Sequence, residues 1–323
     1  MISVGWCNGL GNYILHSSIL RCLASIGDTG TVDLVLDDGW QTETRKAVQL
    51  IAEHSPFIRK VVGYPSEYNP NDYEKNYMTF HSIFQSSFFK YLHGDKILER
   101  QNYVCWADFL HEQDFYLNEI QKQFGYKGKI YDQYMPISEY FPYDIPQDKK
   151  VVCISNGWAR SNEGIWQRKE YPHYGELIEN ILKFYDDTVV YLIGDENDKE
   201  WAEKKLSQMT TFWLEGRLFN VCGDLSILET AHLISKSSYG VYNDGALAHV
   251  ADALKKPGVV LWGSTLVSKN KGLNGTLTNL RSPLLCSPCQ STKFWQDCQT
   301  PDCMSNIPVS WIMAVIRKNF LTV

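Results

Sequence analysis

The chain has 323 residues, 44% of them apolar, enough to bury a full core and long enough for two domains of about 150 residues each. Its formal net charge is −6, with lysine and arginine scattered rather than blocked, which excludes a general electrostatic footprint for nucleic acid or an anionic membrane and leaves only a local basic groove open. No apolar run approaches the roughly 18 residues that span a bilayer, and Met1-Ile2-Ser3-Val4-Gly5-Trp6 lacks the regions of a secretory signal, so the expected place is the cytoplasm, with at most peripheral membrane contact.

Ile2 to Trp6 reads as a short apolar strand. Asn8-Gly9-Leu10-Gly11-Asn12 follows as a turn, then Ile14, Leu15, Ser18, Ile19 and Cys22 recur at helical spacing. A second strand, Val32 to Leu36, ends in Asp37-Asp38-Gly39, and a helix from about Thr44 to His54 leads to a third strand at Ile58 to Val62. Such alternation argues a parallel sheet with helices on both faces. In residues 64 to 110 Tyr, Asn and Pro dominate, and only a helix near Ser82 to Leu92 is predicted. Residues 111 to 124 read as helical, and Asp144 to Lys149 as a polar linker.

A second cycle starts with the strand Val151 to Ser155. A helix from Tyr174 to Phe184, a strand from Thr188 to Ile193 ending in Gly194-Asp195-Glu196, and a helix from about Lys199 to Met209 come next. Leu225 to Ser235 is helical, Gly240 to Tyr242 a strand, Leu247 to Leu254 a helix and Val259 to Trp262 a strand, with a last helix over Pro308 to Phe320. The expected fold is therefore α/β, with two Rossmann-like doubly wound domains, residues 1–147 and 148–323. A ligand belongs in a cleft between them, because parallel sheets present loops and helix N-termini at the carboxyl ends of their strands. Fold alone does not name the chemistry.

Two stretches fit an anion site. In Asn243-Asp244-Gly245 a strand runs into a helix, so free backbone N–H groups and a positive dipole end collect there, and His249 lies one helical turn on. The alternative is a plain Asp-Gly turn with a helix cap and a core histidine. Gly9 and Gly11 make the same device near the start of the chain, without the third glycine or the ribose acid of a dinucleotide fingerprint, which argues against NAD. Aromatic residues reach 13%; such rings stack on sugars and nucleobases, and they also simply fill cores. Of the nine cysteines, five are isolated in apolar surroundings, while Cys286, Cys289, Cys298 and Cys303 cluster. Four ligands suit a structural zinc; a reduced set packed around a loop, or disulfides formed on oxidation, are the alternatives.

The chain resembles glycosyltransferase family 9, typified by the ADP-heptose:lipopolysaccharide heptosyltransferases. Gly9 to His16, with Leu20-Arg21 behind, resembles the family's Gly-x-Gly-Asp loop and helix; Lys169-Glu170-Tyr171-Pro172 resembles its Lys-x-Trp-Pro motif; Val190 to Gly194 resembles the strand before its nucleotide-binding acid. Asn243 to Pro257 resembles Asn-Asp-[Ser/Thr]-Gly-x-x-His-x-Ala-x-Ala-x-x-x-Pro, and Cys286-Ser287-Pro288-Cys289 with Asp302-Cys303-Met304 resembles its C-terminal cysteine segment.

The resemblance implies a GT-B fold, with the acceptor on the N-terminal domain and an ADP- or UDP-linked sugar mainly on the C-terminal one. It also implies an inverting transfer that needs no metal or catalytic cofactor. Such a transfer requires a base for the acceptor hydroxyl and positive partners for the departing diphosphate. Lys169 is the cation; Asp244, Gly245, Ala246 and His249 complete the cradle; Glu196 meets the ribose, and Leu225 to Leu228 flank the base. One departure concerns the base itself, because Asn12 stands where the family carries an aspartate, and an amide cannot accept a proton near neutral pH. His16, Asp37 or Asp38 are the alternatives, or none, given an oxocarbenium-like transition state. A second is Ala246, where the family usually has glycine; the cradle survives, since it depends on backbone donors. A saccharide is the expected acceptor. A modified DNA base, and a binding protein without turnover, are the competing readings.

Overall fold

Ile2–Trp6 (β1) is buried at all five positions, because a strand central to a sheet with covered faces has no solvent side to alternate toward. The structure is a computed structural model that describes residues 1–6, 9–39, 42–78, 111–157, 168–209, 212, 215–289, 298 and 300–320. The helix predicted near Ser82 to Leu92 lies outside the described residues.

The chain divides into two compact units, Met1–Pro136 and Ile137–Val323. In the first, Val32–Asp37 (β2), Ile58–Tyr64 (β3) and Lys75–Met78 (β4) join β1 in a four-stranded sheet of order β3-β2-β1-β4, every pairing parallel. Leu10–Ala24 (α1) and Glu43–Glu53 (α2) are the crossover helices. Thr42 caps α2 by accepting from the Arg45 N–H. Glu112–Phe124 (α3) packs on α1.

The second unit is a six-stranded parallel sheet. Its strands are Lys150–Ser155 (β5), Thr188–Leu192 (β6), Leu218–Asn220 (β7), Tyr239–Asn243 (β8), Gly258–Trp262 (β9) and Leu277–Arg281 (β10), in the order β10-β9-β8-β5-β6-β7. Tyr174–Phe184 (α4), Glu196–Ser207 (α5), Ile227–Lys236 (α6) and Ala246–Ala253 (α7) connect them. The core runs from Val152, Ile154, Val190 and Val241 on the strands to Leu177, Ile178 and Ile181 on α4. The last helix, Val309–Phe320, closes it with Ile312 and Ile316.

The boundary lies eleven residues earlier than the linker composition predicts. Residues 137–147 are tied to the second unit: the Ser138 N–H donates to Leu228 O (3.1 Å), His232 Nδ1–H donates to Ser138 O (2.7 Å), and Phe141 stacks on the His232 ring. Three strands were not legible in the sequence, and each lies at an edge of its described sheet. β4, β7 and β10 pair on one side only, so their apolar pattern is weak and their existence depends on the neighbour that accepts them.

Candidate active site

Both sheets reverse their direction of growth at one place, and of the predicted residues Gly9, Gly11 and Asn12 follow a strand at the first reversal and Asp244 to Ala246 a strand at the second. In the second unit the reversal falls between β5 and β8. β8 ends in Asn243, and Asp244-Gly245 leads directly into α7, whose start carries neither a capping side chain nor an acidic residue in its first turn. Its first N–H groups therefore have no capping side chain of their own. Gly245 has an extended φ of −173°, and an added Cβ would meet only Asn243 O and Gly157 O at 3.8 and 3.9 Å. Packing does not demand glycine there.

Lys169 reaches this turn from the loop before α4. Its ammonium donates to Asp244 Oδ2 (2.6 Å) and Asp244 O (3.2 Å), with only 13% of the lysine side chain and 7% of the aspartate exposed. Taken alone in the sequence, Lys169 reads as a solvated surface lysine; it is instead half of an ion pair nearly closed to solvent. A polar network holds the motif in place. Asn156 Oδ1 accepts from the Tyr171 N–H (3.0 Å) and from Asn243 Nδ2 (2.8 Å), and the Tyr174 hydroxyl donates to Ser155 O (2.9 Å) with Asn243 Oδ1 at 3.1 Å. Burial pushes the Tyr174 hydroxyl well above the usual tyrosine value, so it remains a neutral donor. Tyr171, fully buried, donates its hydroxyl to Ile307 O (2.8 Å) and anchors the loop to the C-terminal segment.

Glu196 stands at the start of α5, after β6, with its side chain 73% exposed. It lies over Gly223, whose φ is +77° and where a Cβ would meet Glu196 Oε2 at 2.2 Å. Leu225, half-buried, follows on the same loop, while Leu228 is buried in the core and is not available to a ligand. His249 lies buried on α7.

In the first unit the reversal falls between β1 and β4. β1 leads to Gly9 at the uncapped start of α1, with Gly11 and Asn12 in the first turn. Asn12 Nδ2 donates to Glu112 Oε2 (2.9 Å), and His16 Nε2 lies 3.5 Å from the same oxygen. Asp37 accepts from the Gly39 N–H (2.8 Å) and so closes its own turn. Asp38 accepts from the Ser66 N–H (2.9 Å), a bond that lowers its carboxyl below the ordinary value.

The sequence profile of glycosyltransferase family 9 (heptosyltransferase) matches residues 81–298, more than half of the chain. The chain belongs to glycosyltransferase family 9. Among solved structures it is similar to an Escherichia coli ADP-heptose lps heptosyltransferase II, at 15% identity with 99% of this chain and 98% of that chain covered and a TM-score of 0.70. It is also similar to a family 9 glycosyltransferase from Veillonella parvula (14%, 100% and 97%, 0.70) and to the Escherichia coli heptosyltransferase WaaC with ADP (13%, 98% and 99%, 0.60). By sequence, no curated protein matches.

As a family 9 member the chain is a glycosyltransferase. Its two parallel α/β sheets have the architecture that the resemblance implies. The four cysteines that the sequence suggests for a structural zinc, Cys286, Cys289, Cys298 and Cys303, are free thiols. Cys286 is exposed, Cys298 donates to Thr300 O, and Cys289 and Cys303 are buried. Among the described residues no group of three or more His, Cys, Asp or Glu could hold a metal ion. Nor is any helix among them long and apolar enough to cross a membrane.

Sequence reasoning missed Glu112, Asn156 and Tyr174. Asn156-Gly157 after β5 repeats the strand-to-turn signature of Asn243-Asp244-Gly245 and was findable. Glu112 was not, because its partners lie about a hundred residues earlier.

Proposed function

We propose that this family 9 enzyme transfers a heptose from ADP-heptose to a saccharide hydroxyl, with inversion and without a metal. The observation that carries the reading is the Lys169 ammonium held against Asp244 at the uncapped start of α7. A nucleoside diphosphate there meets a cation and N–H dipoles, which offset the charge that develops on the leaving group. Gly245 and Ala246 let the backbone approach, and His249 adds a donor one turn on. Glu196 and Leu225, on the loops after β6 and β7, receive the ribose and the base. The ADP donor follows the family and the similar structures, one of an ADP-heptose heptosyltransferase and one of a heptosyltransferase with ADP. Residues 1–136 receive the acceptor, beside Asn12 and Gly11. No observation on the chain favours a DNA base as acceptor, and a structural zinc on Cys286, Cys289, Cys298 and Cys303 gains no support.

The experiment is a thermal-shift series with ADP, UDP, GDP and CDP, followed by ADP release from ADP-heptose with lipopolysaccharide core oligosaccharide as acceptor. ADP is expected to raise the melting temperature by mass action and the other nucleotides to do so less. Equal shifts with all four would overturn the adenine donor, and no ADP release would overturn the heptosyl transfer.

A further inference from the structure

Glu112 is a carboxylate buried to 4% exposure at the first residue of α3. Removing a carboxylate from water costs several kcal/mol unless it is paired and hydrogen-bonded, so such a group invites a reason beyond packing. Its Oε2 accepts from Asn12 Nδ2 at 2.9 Å and has His16 Nε2 at 3.5 Å. The helix start on which it sits favours its negative charge. His111 Nδ1, not Glu112, accepts from the Gln113 N–H there, so the acid is not the cap of α3. Asn12, its neighbour, is half-exposed and stands at the carboxyl end of β1, where the first sheet reverses direction.

Of the three groups in this contact, two are unsuited to accept the proton. The Asn12 amide has no basic atom. His16 is 1% exposed, with its ring 5.5 Å from that of Trp6 and 4.3 Å from that of Tyr116, and its Nε2 is on the Glu112 side. We propose that Glu112 is the proton acceptor of the transfer reaction, with Asn12 orienting the acceptor hydroxyl and His16 positioning the acid. The inference rests on the heptosyl-transfer reading above. In the step, the acceptor oxygen forms its bond to the sugar C1 while the C1–O bond to the diphosphate breaks. ADP leaves with that electron pair, and the hydroxyl proton passes to Glu112, which ends neutral and later returns it to water.

The test compares kcat and KM for ADP release from ADP-heptose, with core oligosaccharide as acceptor, in the wild-type chain, in Glu112→Gln and in the exchange Asn12→Asp with Glu112→Gln. Glu112→Gln keeps the shape of the contact, and its kcat is expected to fall by about 10²–10⁴-fold with KM for ADP-heptose nearly unchanged. The exchange variant returns the acid to the other side of the same 2.9 Å contact and is expected to regain at least about tenfold in kcat over Glu112→Gln. A purely structural tie between α3 and α1, which the amide of Glu112→Gln can also make to Asn12, predicts little loss of kcat in that variant. Glu112→Gln within about threefold of wild-type kcat, or an exchange variant no faster than Glu112→Gln, would overturn the proposal. If Glu112→Gln melts below the assay temperature, Glu112→Asp decides: a carboxylate drawn back by one methylene that lowers kcat at least tenfold with KM for ADP-heptose nearly unchanged upholds the assignment, and kcat within about threefold of wild type overturns it. Wild-type protein that neither binds ADP nor releases it from ADP-heptose fails the transfer reading itself. Wild-type turnover with a fully active Glu112→Gln fails only the assignment of Glu112.

Discussion

Lys169 and Asp244 illustrate how much a side chain's surroundings decide. The pair is nearly closed to solvent, so truncating one partner strands a charge, a loss of about 3–5 kcal/mol for a buried pair. Lys169→Ala is therefore expected to lower both the melting temperature and kcat, the latter by about 10²–10³-fold if the ammonium faces the leaving diphosphate. Adding Asp244→Asn should restore most of the melting temperature and none of the turnover. Recovery of both together in that double variant would mean that the pair is structural. The cysteines differ from one another for a related reason. Burial pushes the Cys153 thiol up to about 12 and the Cys303 thiol up to about 11, whereas Cys286 stands in solvent. Iodoacetamide at about pH 8 should alkylate Cys286 at least tenfold faster than either, as read by peptide mass spectrometry of the native protein.

At the scale of elements, two glycines next to the proposed nucleotide site make opposite demands. Gly245 is extended and has room for a Cβ, so Gly245→Ser should leave the melting temperature within a few degrees, since serine and glycine differ by only a few tenths of a kcal/mol at a helix cap. Gly223 combines a left-handed φ with a Cβ position already occupied by Glu196. Gly223→Ala should cost about 1–3 kcal/mol by urea denaturation and should raise KM for ADP-heptose by displacing Glu196. A neutral Gly223→Ala with unchanged KM would remove Glu196 from the site. Helices read well from the sequence because their apolar faces repeat locally: α4 falls on Tyr174 to Phe184 as predicted. Three strands at edges of the described sheets did not, because a strand such as Lys75–Met78 exists only where β1 offers a partner, although the edge strand β3 was legible.

At the scale of the whole molecule, the residues proposed to bind the nucleotide all lie in Ile137–Val323, and Asn12, His16 and Glu112 all lie in Met1–Pro136. Hydrogen exchange on the intact chain should therefore show ADP slowing peptides that carry Lys169, Glu196 and Asp244 to His249, with peptides over Gly9 to Ala24 unaffected. Protection of the latter instead would move the nucleotide contacts to the first unit. The amino-acid sequence by itself determined the βα alternation, the two-sheet plan and the turns of Gly9-Leu10-Gly11 and Asn243-Asp244-Gly245, since periodicity and turn chemistry act over a few residues. Only the tertiary structure decided the domain boundary, which Phe141 and His232 set by stacking, and the buried meeting of Asn12, His16 and Glu112. Contacts across about a hundred residues depend on which way the chain crosses over its sheet, and no local pattern records that.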